Sequence, residues 1–424
     1  MHFGMRRSTR LKEKSKCGRN RAILSSIFRR TRPVTLALEL AFVAAAVLTV
    51  FLIDPTGLDL KVYREGGLAL LNNPSSLYDP ILGPVNDPGL PFTYPPFAAL
   101  IFVPIAVLPF WLSEALAMAA SLIVTVFVAQ DLAQRIASKW RSLEPYVTTL
   151  TLSSLFVVSG PFRDTLWFGQ INILILGACY LTFVKFKSLT PFAIAVGIFA
   201  GIKLTPIAFL ILPLAMMQWR AMFLGIATFV GTQVIGLLFS FQNTVHYWTE
   251  VLRDPTRVGN LSYLDNVSIQ AVIDRFSLSQ GVWFVAALAV GVSFIVLLWK
   301  LYPLLDRAAL IGVASACPLL VSPVSWAHHW VWWPVIAYGW IRVAALLPNA
   351  WGKVSIALTV ASSLALILAP KSLLIMLDVY PGNTLPAWCY VIPTIPVIAS
   401  TLCLYFALGM VRSKDSRSLR QALV

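Results

Sequence analysis

Charge is scarce in this 424-residue chain. Asp, Glu, Lys and Arg make up 12% of it against 58% hydrophobic residues, and mean hydropathy reaches +0.78, which excludes a water-soluble globule of this length. Acidic side chains are scarcer than basic ones, 18 against 33, yet the surplus is not spread as a nucleic-acid-binding face would be. Residues 6 to 32 hold eleven Lys or Arg against Glu13 alone, and the C-terminal end repeats the pattern with Arg412, Lys414, Arg417 and Arg420 against Asp415. Such tails sit on anionic headgroups and mark cytoplasmic flanks. Both termini are therefore expected in the cytoplasm, with membrane lipids and not nucleic acid as partners and no obligate protein partner evident. Cysteine is also sparse: Cys17, Cys179, Cys317, Cys389 and Cys403 are scattered without C-x-x-C spacing, so neither a disulfide framework nor a thiolate zinc site is implied. There is no D-x-D pair and no cluster of carboxylates in the polar loops, so a metal-independent chemistry is expected. The loop after the first apolar run has no second copy downstream, which counts against an inverted-repeat transporter.

What is present is a series of apolar runs at helix length, near 34–53, 112–133, 146–160, 171–185, 221–241, 282–300, 307–322, 326–347, 353–370 and 387–411. The first matches a full span behind a basic flank, lacks a small-residue cleavage site and reads as an uncleaved signal anchor. Two further runs are irregular: 95–110 is interrupted by Pro95, Pro96, Pro104 and Pro109, and 191–217 breaks at Gly201, Lys203 and Pro206 into halves too short to cross. If every run crosses once, the loops with Arg135, Lys139 and Arg141 and with Lys185 and Lys187 fall outside, against the positive-inside bias. Letting 95–110 re-enter and 191–217 turn back puts those loops, and Arg220, in the cytoplasm. The chain is thus expected to be an all-α polytopic membrane protein with roughly ten to twelve transmembrane helices. Its expected parts are a basic tail 1–33, a membrane domain 34–411 with outer loops 54–94 and 242–281, and a basic tail 412–424. Segments 54–94, 161–170, 201–206, 242–281, 322–329 and 371–386 then share the outer side, and an extracytoplasmic site is expected where they converge.

Several residues in those segments are chemically suggestive. Asp59 stands just beyond the first span, and on a short helix it shares a face with Tyr63 and Gly66; it is either a base for a sugar hydroxyl or a helix cap. Lys203 sits at a break in an apolar run, where an unpaired ammonium costs about 2.5–3.5 kcal/mol; a lipid phosphate is one partner for it, snorkelling to the interface the other reading. Arg163 could supplement it on the phosphate or pair with Asp164, and Arg64 is a further candidate. Gln170 and Asn172 suit sugar hydroxyls or helix packing equally. His328 and His329 lie among Trp326, Trp330, Trp332 and Trp333; adjacent helical residues diverge by about 100°, so one of the pair is expected to face a cavity. Asn266 lines the pocket or orders its loop.

The order of motifs says more than their composition. A span, an Asp59-bearing helix, a Leu77-Tyr78 turn and Tyr94-Pro-Pro96 are followed by Phe168-Gly-Gln-Ile-Asn172, Gly201-Ile-Lys-Leu-Thr-Pro206, Asp265-Asn-Val-Ser-Ile-Gln270 and Ser322-Pro-Val-Ser-Trp-Ala-His-His-Trp330. This succession resembles glycosyltransferase family 87, polyprenyl-phosphate-mannose-dependent mannosyltransferases of the GT-C fold. The resemblance implies a plasma-membrane enzyme with a β-linked mannosyl donor on a polyprenyl phosphate and a glycolipid acceptor. Phosphatidylinositol mannoside with an α-1,2 product is the expected acceptor, and a lipomannan or lipoarabinomannan acceptor the rival. It implies Asp59, with His328 or His329, as the catalytic group; Lys203, Arg163 and Arg64 on the donor phosphate; and Tyr63, Tyr94, Gln170, Asn172, Asn266 and Trp326 around the sugars. A lipid-linked glycan flippase and a noncatalytic scaffold are the competing classes.

Overall fold

The computed structural model describes residues 33–52, 55–82, 89–138, 144–369 and 387–413. Cys17, most of both basic tails, Lys139, Arg141 and the expected outer segment 371–386 lie outside the described residues. The described residues fold as helices; their one β-type pairing is an isolated bridge between Asn266 and Trp326. In chain order the helices are α1 (Pro33–Leu52), α2 (Leu58–Asn72), α3 (Pro96–Ala106), α4 (Phe110–Ala137), α5 (Pro145–Val158), α6 (Gly160–Phe168), α7 (Asn172–Lys185), α8 (Thr190–Ile202), α9 (Ile211–Ala215) behind a 3₁₀ turn at Thr205–Leu210, α10 (Trp219–Phe239), α11 (Phe241–Thr249), α12 (Ile269–Arg275), α13 (Gln280–Leu301), α14 (Arg307–Val321), α15 (Trp333–Ala344) behind a 3₁₀ segment at Ala327–Trp332, α16 (Asn349–Leu368) and α17 (Val391–Ser413).

Five of these, α4, α10, α13, α16 and α17, are long and apolar enough to cross a membrane unaided. Helices α6 and α7 count as a sixth crossing if joined, although they meet at 119°. Helix α1 also has 20 residues, and further apolar runs fold into shorter helices of 10–17 residues, α3, α5, α8, α14 and the Thr205–Ala215 stretch. Proline and glycine at the breaks explain the shortening, because each removes or weakens the i to i−4 ladder there. Helix α1 packs on α5, α5 on α4, α8 on α10, and α14 between α13 and α15. The α14–α15 contact is backbone to backbone: a Cβ at Gly312 would lie 2.1 Å from the Val335 carbonyl, so the approach is closed to any larger residue. Outward faces of α10 and α13 leave Phe223, Leu238, Phe284 and Val285 more than 60% exposed, apolar surface that suits lipid rather than water.

Helices α7, α8 and α14 each run between two ends of opposite character. At one end Asp131 accepts from Arg135 Nε (2.6 Å) and Tyr180 Oη (2.7 Å) and pairs with Lys185 Nζ (2.5 Å). Beside it Asp306 caps α14 through the Ala309 N–H and holds Arg342 at 3.0 Å, while Arg307 donates to the Phe183 and Lys187 carbonyls. The basic loops with Arg135 and with Lys185 and Lys187 thus gather at one end, as the charge argument requires of them. The other ends of the same helices meet at a cavity. Asp131 is 3% exposed, and Asp131→Ala removes the acceptor shared by Arg135, Lys185 and Tyr180. We expect a loss of roughly 1.5–3 kcal/mol, read as a lowered Tm of the detergent-purified protein.

Candidate functional site

Two glycines bring the first catalytic candidate into place. Gly57 (φ 55°) precedes α2 and Gly169 (φ 69°) ends α6, both in the left-handed region that glycine tolerates without strain. The Gly57 N–H donates to the Trp167 carbonyl at 3.1 Å, and a Cβ at Gly169 would stand 2.7 Å from Leu60 Cβ. The start of α2 is thereby clasped to the α6–α7 turn, and Asp59 meets Gln170. The Gln170 carbonyl accepts from the Tyr63 hydroxyl at 2.8 Å, which directs its amide nitrogen to the Asp59 carboxylate, with which the side chain is hydrogen-bonded. Tyr63 is itself fixed by stacking on Phe102, centroids 4.4 Å apart, and Tyr94 by the Tyr78 hydroxyl on its carbonyl. Helix α2 is not among the crossing helices. Burial pushes the Asp59 carboxyl up to about 6, with the Gln170 hydrogen bond and the Lys203 charge pulling it partly back.

Lys203 occupies an extended residue (φ −139°, ψ 119°) between α8 and the Thr205–Leu210 turn. Its Nζ donates to Asn172 Oδ1 at 2.9 Å and lies 3.1 Å from His329 Nε2. An ammonium can only donate, so His329 is neutral with Nε2 unprotonated. The Asn172 amide donates in turn to the His328 carbonyl at 3.2 Å, where Thr165 Oγ1 also donates at 3.1 Å. Three chain breaks are tied together in this way: the α6–α7 bend, the end of α8 and the turn ahead of α15.

A cavity of about 730 Å³ opens where these elements meet, lined by Asp59, Tyr94, Gln170, Lys203, Trp326, His328 and His329 among others, within the size range of ligand pockets. Five of the six segments expected to converge contribute to it; the sixth, 371–386, lies outside the described residues. Both histidines line it, not one. They open a 3₁₀ segment directly after extended Trp326 (ψ 154°), so no preceding helical turn covers either ring. Tyr63 and Asn172 stand one layer behind, acting through Gln170 and Lys203. Asn266, fully buried, orders its loop and does not line the pocket: its amide donates to the Leu261 and Pro323 carbonyls and its oxygen accepts from the Ser325 N–H.

The two arginine candidates are not brought to the cavity. Arg64 donates to the Ile105 and Leu108 carbonyls and to Ser113 Oγ, closing the turn between α3 and α4, whose carbonyls have no helical partner. Arg163 is not a lining residue either and pairs with Asp164 at 3.7 Å. The cavity gains instead Asp265 and Tyr263, with Asp254 and Arg257 nearer its exposed rim, none of which sequence reasoning assigned to it.

The sequence model of glycosyltransferase family 87 matches residues 92–323. A polyprenol-phosphate-mannose-dependent alpha-(1-2)-phosphatidylinositol pentamannoside mannosyltransferase of Mycobacterium tuberculosis is 31% identical over 74% of this chain and 73% of its own. Its Mycolicibacterium smegmatis namesake is 32% identical over 65% and 67%. A polyprenol-phosphate-mannose-dependent alpha-(1-2)-phosphatidylinositol mannoside mannosyltransferase, also of M. smegmatis, is 30% identical over 66% and 68%.

The raised Asp59 carboxyl carries a stability signature. Above about pH 6 it is ionised in a site that disfavours the charge, whereas the unfolded chain ionises it near 3.8; the folded state is therefore penalised at neutral pH, and the penalty disappears below pH 4. Asp59→Asn is expected to melt at or above the wild-type Tm at pH 7.5, with the difference shrinking at pH 4.5. A clearly lower Tm at pH 7.5 would assign Asp59 to holding the fold.

Proposed function

This chain belongs to glycosyltransferase family 87, and from that premise we propose that it is an inverting α-1,2-mannosyltransferase of the outer face of the plasma membrane. Its donor is polyprenyl-phosphate mannose and its acceptor a phosphatidylinositol mannoside, the chemistry printed in the relatives' names. The observation that carries the reading is the placement of a high-pKa carboxyl, Asp59, and a fixed ammonium, Lys203, on one cavity. The basic cluster at the opposite helix ends supports this orientation through the positive-inside bias.

The reaction is a single displacement. The acceptor hydroxyl oxygen bonds to C1 of the mannosyl group as the C1–O bond to phosphate breaks, Asp59 takes the hydroxyl proton, and polyprenyl phosphate departs with the electron pair. Lys203 has three N–H bonds and uses two on Asn172 and His329; the third meets the phosphate and stabilises its growing charge. His329 therefore orients the lysine, while His328, on the same lining, hydrogen-bonds the reacting sugar. One carboxylate near the anomeric centre suffices for inversion, so a β-linked donor yields the α product. Charge stabilisation by Lys203 makes the reaction metal-independent. Residues Leu204, Ile207, Ala208, Val251 and Leu252 give the cavity an apolar wall suited to the first isoprene units.

The test is transfer of labelled mannose from polyprenyl-phosphate mannose to a phosphatidylinositol mannoside by purified protein in chelator. Asp59→Asn should lower kcat by about 10²–10⁴-fold, and a variant turning over at the wild-type rate would refute its role as base. Loss of all activity in chelator, restored by a divalent cation, would remove the metal-independent step. Because only the ionised carboxyl accepts a proton, wild-type kcat should fall as pH drops below about 6. Lys203→Met should cost about 10²–10³-fold in kcat.

A further inference from the structure

Asp265 is a second carboxylate on the cavity, 7% exposed, and the displacement above gives it no task. Its loop is held largely by backbone hydrogen bonds, with the Asp265 charge acting on the Arg275 guanidinium behind it. Residues 261–267 are joined to 322–327 by the Val267 N–H on the Ser325 carbonyl (2.8 Å), the Ala327 N–H on the Asp265 carbonyl (2.7 Å) and the bonds of the Asn266 side chain to the Pro323 carbonyl and the Ser325 N–H. From behind, Arg275 at the end of α12 donates Nη2 to the Tyr263 and Asn266 carbonyls, both at 2.7 Å, and Nε to the Ser262 carbonyl at 3.1 Å. Trp330 Nε1 closes the strap on the Val267 carbonyl. This wall is rigid before any ligand arrives, which is what recognition at low entropic cost requires.

The chemistry of the wall selects its ligand. Tyr263 and Trp326 stand edge to face, centroids 6.1 Å apart, and Gly259 (φ 116°) lies against the Trp326 indole, where a Cβ would be 3.7 Å from the ring. An aromatic face suits the apolar C–H face of a pyranose, and an ionised carboxylate, an acceptor only, suits its hydroxyls. A phosphate has no hydrogens to donate to it and would be repelled. We propose that Asp265, Tyr263 and Trp326 form the subsite for the acceptor's terminal hexopyranose, with Asp265 accepting from hydroxyls other than the one that reacts. This rests on the glycosyl-transfer reading, and it separates the acceptor wall from the phosphate end at Lys203.

The experiment pairs the carboxylate with individual hydroxyls. Octyl α-mannoside and its 3-, 4- and 6-deoxy analogues are supplied with polyprenyl-phosphate mannose to wild type and Asp265→Asn. Wild type should lose about tenfold or more in kcat/KM on at least one deoxy analogue. Asp265→Asn should lose a similar factor on the parent mannoside, show no further loss on that analogue, and keep its donor KM. An undiminished deoxy penalty in Asp265→Asn, or a change in donor KM with acceptor KM unaltered, would overturn the assignment. Should Asp265→Asn accumulate poorly, Trp326→Phe serves: a raised acceptor KM with unchanged donor KM supports the subsite, and an unchanged acceptor KM sinks it. If wild type transfers nothing to these acceptors, the transfer reading is at fault and the subsite is judged by calorimetric titration with octyl α-mannoside. Weaker binding to Asp265→Asn than to wild type then sustains it, and equal binding or none to wild type ends it.

Discussion

The ammonium of Lys203 is the constraint around which the cavity is organised. A cation at the end of an apolar helix cannot be left without partners in a membrane protein, and its partners here come from two other helices' ends, Asn172 at the start of α7 and His329 ahead of α15. Asn172 can reach the lysine only because α6 and α7 part at 119° just before it. His329 can reach it only because α14 stops at Val321 and the chain runs through an extended turn before α15. The interrupted helices are therefore mutually dependent: each break exposes polar atoms that another break satisfies.

A second dependence links the charges. Beside Lys203, Arg257 and the exposed Asp254, the cavity holds Asp59 and Asp265, and these two carboxylates differ in what surrounds them. Asp59 is served by a relay from Tyr63 through Gln170, which fixes its direction while leaving its proton affinity high. Asp265 rides on a strap whose backbone is held by Arg275 and Asn266, with the Arg275 charge acting on its carboxylate. Two identical functional groups are thus held in different surroundings by their supports.

Much of this was legible in the sequence because breaks in apolar runs are visible and charges at such breaks are rare. Asp59, Lys203, Gln170 and the histidine pair stood out for that reason, and the basic loops that gather around Asp131 and Asp306 were sorted to one side by charge alone. What the sequence could not convey is where a long side chain ends. Arg64 sits one turn beyond Asp59 and looked equally placed for a phosphate, yet its guanidinium is taken by carbonyls orphaned by the Pro-rich turn after α3. Arg163 pairs with its neighbour Asp164. Asn266 read as lining the pocket or ordering its loop, and its three hydrogen bonds give it to the loop. Arg275 carries no signal in one dimension: its targets are backbone carbonyls 9 to 13 residues upstream.

The shortness of the helices that end at the cavity bears on how lipid substrates reach it. Helices α7, α8 and α14 have 14, 13 and 15 residues, about 20–22 Å of rise, whereas the hydrocarbon layer is about 30 Å deep. With their ionic ends at one interface, their other ends stop well short of the opposite one. On the orientation proposed above, the floor of the cavity lies at the depth of the upper acyl chains, below the plane of the headgroups. A sugar carried on a lipid phosphate approaches such a floor by sideways diffusion within the leaflet, and its tail never has to leave the oil.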